Sequence, residues 1–193
     1  MVEIAIDEKE RRVKEVDVLR SEEMIARHTG IAGSICFVVR RAGWFFCREQ
    51  ALTLSVLAAT YQERLEGFEV FGIVKETGVD DEGLVDFHKT YFPYPLYCDK
   101  SYTFYHALGD RKVGLHLIWN PLTVFSILCE TFQRIRNKEI GGTMKGEGLV
   151  QGGIIFFGKD GKPKYVYEED TGSDLPVADF VSVLDKMRRE QNS

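Results

Sequence analysis

A chain of 193 residues, 44% apolar and 28% charged, can bury one full core without disulfide staples, and its composition is that of an ordinary globular domain. A net charge of −5 argues against a general nucleic-acid binder. The longest apolar region, "LHLIWNPLTVFSILC" (115–129), is too short for a membrane span and is broken by His116, Asn120 and Pro121.

The N-terminus, "MVEIAIDEKERRVKEV", has no apolar core behind a basic start, so it does not read as a secretory leader. Residues 1–13 are expected to be flexible and the chain cytoplasmic, in a reducing compartment. The widely spaced Cys36, Cys47, Cys98 and Cys129 then read as free thiols. "SICFVVR" (34–40) is a β-branched apolar run that predicts a buried strand. After a turn at Ala42-Gly43, apolar residues at 47, 51, 54, 58, 61 and 65 trace one face of a helix that Gly67 would end.

"FEVFGIV" (68–74) predicts a second strand. Asp80 or Asp81 can cap a helix with Leu84, Phe87 and Tyr91 inward, stopped by Pro93 and Pro95. "LYC" (96–98) is a brief third strand, and Asp99 caps a helix carrying Tyr102, Tyr105 and Leu108. Residues 111–145 break the rhythm and read as a helical insertion. That segment carries Arg111, Lys112, Arg134, Arg136, Lys138 and Lys145 against only Glu130 and Glu139. It reads as a packed cap with a basic edge, or as a lid, a homodimer contact or a surface for anionic lipids.

"GGIIFFGKDGKPKYVYEE" is a hairpin turning at Asp160-Gly161. "GGTMKGEG" (141–148), ahead of it, lacks the ending of a phosphate loop and reads as a flexible loop. A closing helix starts near Ser173 or Asp174 and buries Val177, Phe180, Val181 and Leu184. The series predicts one α/β domain over 1–193: a thioredoxin-like mixed sheet with helices on both faces and a helical insertion before the final β-hairpin.

"RRAGWFFCREQALTLSVL", "FGIVKE", "YFPYPLYCDKSYTFYHALG" and "GLVQGGIIFFG" together resemble a known family. It is the peroxiredoxin-like group that includes selenoprotein U and the prostamide/prostaglandin F synthases, within the alkyl hydroperoxide reductase/thiol-specific antioxidant superfamily. The resemblance runs from about residue 14 to the C-terminus. It implies a thioredoxin fold and thiol-based reduction of a peroxide or endoperoxide, by an oxidoreductase with antioxidant activity.

Most members carry Cys-x-x-Cys at this turn, some with selenocysteine first. Here the first position is Trp44, and only the second carries over, onto Cys47. Arg41 stands where a peroxiredoxin usually has threonine. Gln151-Gly152-Gly153 stands where thioredoxins have a cis-proline facing the active site, so Trp44 and Gly152 are the substrate-contacting candidates. Trp44 could cover the thiol or wall a lipid-like substrate pocket. A tryptophan codon is one base from the selenocysteine codon, so Trp44 can be a natural replacement or a recoded position.

Physical chemistry leaves two roles open for Cys47. A thiol in the first turn of a helix faces unsatisfied N–H groups, and Arg41 and Arg48 could stabilise its thiolate. Equally, Cys47 begins the inward stripe and could be a small core hydrophobe. The first role gives a peroxidase-type oxidoreductase working through Cys47 with an external thiol, thioredoxin or glutathione, and no bound cofactor. The second gives a silent thioredoxin-like module that binds a protein or lipid. His28, His88, His106 and His116 lack zinc-site spacing, so no metal is expected.

Overall fold

The computed structural model describes residues 1–7, 12–18, 20–28, 32–109, 140–143, 145, 146, 148, 150–170 and 173–191. Seven strands form one sheet in the order β2-β1-β5-β4-β3-β6-β7. They are β1 (Val2–Asp7), β2 (Arg12–Val18), β3 (Gly33–Val38), β4 (Phe68–Val74), β5 (Leu96–Cys98), β6 (Gly153–Gly158) and β7 (Pro163–Glu168). The pairs β3·β4 and β4·β5 are parallel, and β1·β5, β1·β2, β3·β6 and β6·β7 are antiparallel. The α/β mixed sheet expected from the sequence is therefore present.

Period-two alternation along the central strands splits the core between two faces. Ile35, Phe37, Ile154 and Phe156 face one layer, and Cys36, Val38, Ile155 and Phe157 face the other. The first layer holds α2 (Phe45–Thr60), α4 (Asp81–Thr90) and the closing helix α6 (Val177–Gln191). Their Ala51, Leu54, Leu57, Leu84, Phe87, Phe180, Leu184 and Met187 are buried there. The second layer holds α1 (Ser21–Arg27) and α5 (Thr103–Ala107), through Met24, Phe104 and Tyr105. Each fully buried Leu or Phe contributes about 1.5–3 kcal/mol of transfer free energy, so these stripes fix which side of the sheet each helix covers.

Four details differ from the sequence expectation. Residues 2–7, expected to be flexible, form β1, with Val2 and Ile4 buried and Ile4 level with Leu96 of β5. Their apolar-polar alternation suits an added strand with one covered face. The long helix breaks at Tyr61 (φ −109°, ψ 38°), and Gln62–Leu65 forms a separate short turn, α3. Asp99 caps across an intervening turn: its Oδ2 accepts from Phe104 N–H at 2.8 Å, while Tyr102 sits at φ 58° and α5 starts at Thr103. The closing helix begins at Val177, after Pro176. Of the helical insertion predicted over 111–145, residues 111–139, with Cys129, and 144 lie outside the described residues, and 140–143 and 145 are not helical.

Candidate functional site

The parallel strands β3 and β4 end side by side, and Val39 N–H still donates to Ile73 O at 2.8 Å. The chain then turns through 40–44 into α2. Arg41 O accepts from Trp44 N–H at 3.1 Å, and Trp44 O accepts from Arg48 N–H at 3.0 Å. Trp44 is the N-cap residue and offers no side-chain acceptor to the helix. Gly43 is required here: a Cβ would strike Thr143 Oγ1 and lie 2.7 Å from Asp80 Oδ2. Thr143 crosses the turn, donating its N–H to Gly43 O at 2.6 Å and its hydroxyl to Asp80 Oδ2.

Cys47 lies in the first turn of α2 and is only 1% exposed. Burial first, and then the Glu169 carboxylate, push its thiol up to about 12. The N–H of Arg41, the charge of Arg40 and the N–H of Arg40 pull the other way and do not prevail. Two backbone N–H groups therefore favour the thiolate, yet burial keeps the thiol pKa high. In this conformation desolvation outweighs the favourable helix terminus.

Arg40 and Glu169 form the buried pair behind that balance, at 3.2 Å, with side chains 4% and 2% exposed. Arg40 Nε also donates to Gly148 O at 2.5 Å, and its guanidinium stacks on the Trp44 indole, 3.6 Å from the ring centroid. The second carboxylate oxygen of Glu169 accepts from Gly152 N–H at 3.0 Å, and Glu169 N–H donates to Gly152 O at 3.1 Å. Through these bonds the end of β7 is tied to the turn that leads into α2.

The candidate residues therefore divide. Arg41 contributes its backbone N–H to Cys47, while its guanidinium lies against Gly148. Arg48 is bound elsewhere, which corrects its expected role beside the thiolate. Its guanidinium donates to Ala42 O at 3.1 Å, Gly141 O at 2.9 Å and Gly83 O at 3.3 Å, and pairs with Asp86 at 2.7 Å. Trp44 is half-buried at the edge of the core cluster that contains Cys47, with Phe45 and Phe46 edge-on to it. Gly152 packs against the strand end, where a Cβ would collide with Val38 O.

Sequence reasoning misses Arg40 as the buried cation, and Glu169 altogether, 129 positions away in the chain. The motif offers three arginines of equal standing, and nothing in "YVYEED" singles out one carboxylate. Only the sheet topology brings the two together.

A cavity of about 40 Å³ opens beside the turn, lined among others by Val39, Arg40, Arg41, Gly43, Lys75 and Asp80. It has room for one or two water-sized molecules. Cys36 and Cys98 are buried with raised thiol pKa values, Cys98 reaching about 11, so neither is a ready thiolate. Among the described residues no group of His, Cys, Asp and Glu is placed to hold a metal, and no helix is long and apolar enough to cross a membrane.

The family model described as AhpC/TSA antioxidant enzyme matches residues 53–171. Peroxiredoxin-like 2A of Xenopus tropicalis is 29% identical over 157 residues, covering 81% of this chain and 64% of that protein. Peroxiredoxin-like 2A of Danio rerio is 32% identical over 131 residues, covering 68% of this chain and 57% of that protein. The chain thus spans less than two thirds of the length of these relatives. Among solved structures, the reduced 2-Cys peroxiredoxin of Plasmodium vivax superposes with a TM-score of 0.58 at 9% identity, over 99% of this chain and 79% of that one. Mycobacterium tuberculosis AhpC gives 0.54 at 12% identity, over 98% and 88%. These likenesses show the thioredoxin-like fold of peroxiredoxins.

Proposed function

The chain belongs to the AhpC/TSA antioxidant enzyme family, and from that premise we propose that it is a thiol-dependent, peroxidase-type oxidoreductase whose reacting atom is the Cys47 sulfur. The observation that carries this reading is the place of Cys47 in the first turn of α2, where the backbone N–H groups of Arg41 and Arg40 favour its thiolate against burial. Such donors favour an anion, and a simple core cysteine has no need of them.

The reaction balances with one cysteine. The thiol loses a proton, the thiolate attacks one peroxide oxygen, and the O–O bond breaks to leave a sulfenic acid and an alcohol or water. Two equivalents of an external thiol, thioredoxin or glutathione, then return the sulfenic acid to thiol, with a disulfide and water as products. An endoperoxide would open by the same attack to a sulfenate ester, from which one external thiol releases the diol as a mixed disulfide forms and a second thiol frees Cys47. The small cavity beside the turn is lined by neither Cys47 nor Trp44, so a peroxide would reach the buried sulfur only as the turn opens, and a lipid-like substrate would lie against Trp44. A soluble cytoplasmic homodimer is part of the same proposal, drawn from the family.

The described conformation is the resting, protonated form of that site. A second reading has its own observation: Cys47 is almost fully covered and its thiol is pushed up to about 12. On that reading the chain is a silent thioredoxin-like module that keeps the frame and binds a partner. Brief exposure of the folded protein to hydrogen peroxide with dimedone, followed by peptide mass spectrometry, separates the two. Selective sulfenic-acid trapping at Cys47 is expected for the enzyme. Trapping that appears only after unfolding would establish the silent module.

A further inference from the structure

The pairing of Arg40 with Glu169 poses a question that peroxide chemistry alone does not answer. A buried cation stacked on Trp44, beside a cysteine whose sulfur its own N–H contacts, is well placed to stabilise a thiolate. Its charge, however, is committed to a carboxylate at 3.2 Å. That carboxylate is held from behind by Gly152 N–H at 3.0 Å, so it cannot swing away without breaking a backbone contact. Because Glu169 and Arg40 are both nearly dry, their mutual attraction is weakly screened, and so is the repulsion between Glu169 and any charge on Cys47.

We propose that Glu169 is a charge lock on the active-site turn: it occupies Arg40 and so adds to the burial that keeps Cys47 neutral, and the site is switched on when Arg40 exchanges the Glu169 carboxylate for the Cys47 sulfur. The activating step is a proton loss from the thiol to solvent coupled to an exchange of ion-pair partners. It forms and breaks no covalent bond other than S–H and needs no oxidant. Arg40 and Glu169 are positioning residues in this scheme, and Arg40 takes the place the motif offers to Arg41 and Arg48.

The groups that act electrostatically on Cys47 come from three places. Arg40 and Arg41 belong to the turn, Glu169 lies beyond β7, and Tyr105 of α5, in the other layer, reaches the strand ends, its hydroxyl donating to Val39 O at 2.7 Å. Burial holds the Tyr105 phenol well above its ordinary range, so it stays neutral. On α2 itself, Arg48 is bound to carbonyls and Asp86. Of the charged side chains that act on the sulfur, Glu169 is the anion and Arg40 the cation nearest to it in effect.

The importance of the exchange rests on Cys47 being the redox thiol, but its test needs no peroxide and so can fail separately. The rate of Cys47 alkylation by iodoacetamide, read by peptide mass spectrometry, is followed across pH in wild type, Glu169→Gln and the double variant Arg40→Met/Glu169→Leu. Glu169→Gln keeps the acceptor for Gly152 N–H and removes the charge. It is expected to move the profile about one pH unit lower, or about tenfold faster at a fixed pH below the midpoint. The double variant replaces the buried pair with apolar side chains, which folded proteins commonly tolerate, and removes the cation as well. Its Cys47 is expected to react as slowly as in wild type.

A Glu169→Gln profile superimposed on wild type would overturn the charge lock. So would equal acceleration in both variants, which is what simple loosening of the turn produces. Should Glu169→Gln not fold, Glu169→Leu compared with the double variant decides: faster alkylation in Glu169→Leu than in the double variant supports the lock, and equal rates overturn it.

Discussion

Replacing Arg48 with methionine tests whether this arginine belongs to the chemistry or to the frame. The guanidinium is buried, with three backbone carbonyls as acceptors at 2.9–3.3 Å and Asp86 at 2.7 Å. It also lies 5.1 Å from the centre of the Tyr91 ring. Methionine keeps the apolar stem but removes all five donors. The Asp86 side chain is 43% exposed, so the ion pair itself is worth at most about 1 kcal/mol. The carbonyls of Ala42, Gly83 and Gly141 matter more, since each loses a charged donor worth about 1.5–3 kcal/mol before rehydration. Gly141 is exposed and recovers water, whereas the buried Gly83 does not. The net cost is then about 3 kcal/mol, or about 6–12 °C in Tm for a chain of this size. Urea denaturation gives the stability, and the pH profile of Cys47 alkylation gives the chemistry. A loss of stability with an unchanged profile is expected. Undiminished stability together with slower alkylation would return Arg48 to the thiolate's side and refute the reasoning.

The raised Cys47 thiol makes a prediction about stability against pH. A group whose folded pKa lies above its unfolded value of 9.0 contributes stability that is present below pH 9 and lost as pH rises toward about 12. The urea midpoint of wild type should therefore fall between pH 8 and pH 10.5 more steeply than that of Cys47→Ala, and parallel curves would contradict the burial argument. Gly152→Ala should destabilise by about 1–3 kcal/mol, because its Cβ meets Val38 O in a region with no slack; a neutral thermal melt would show that the strand end yields. Trp44→Cys restores the first position of the motif, and a large gain in peroxide consumption is expected if the rest of the site is intact. Sequencing the source transcript at codon 44 and finding UGG there, not UGA, would dismiss recoding as the origin of Trp44.

The parts of this molecule that were legible in its sequence are those decided by local periodicity. The stripe through Cys47, Ala51 and Leu54 announces its helix, and the apolar runs of β3, β4 and β6 announce buried strands, because burial on one face imposes a period. The alternation Val2, Ile4, Ile6 carries the same kind of signal for β1, but a hairpin added to a sheet edge depends on β5 being there to receive it. Tyr61 falls on the helical stripe and gives no sign that the helix breaks there. The site is a harder case, since its local and tertiary signals point in opposite directions. Read along the chain, a cysteine at a helix start among three arginines is an activated thiol. Read in space, Arg48 is bound to the carbonyls of Gly141 and of Gly83 in α4, and Arg40 is bound by a carboxylate 129 positions away.

That opposition bears on how the site works, beyond showing how far local pattern can be read. If Cys47 were only a packing residue, a leucine or valine would serve its position, and the chain would not need to bury an Arg40–Glu169 pair next to it. Buried ion pairs contribute little net stability compared with apolar replacements of the same volume. If the turn before α2 is the active site proposed above, a pair kept beside it is better explained by control of the Cys47 sulfur than by stability. On this argument the closed, protonated Cys47 and the two N–H groups that favour its thiolate are one device in its resting position.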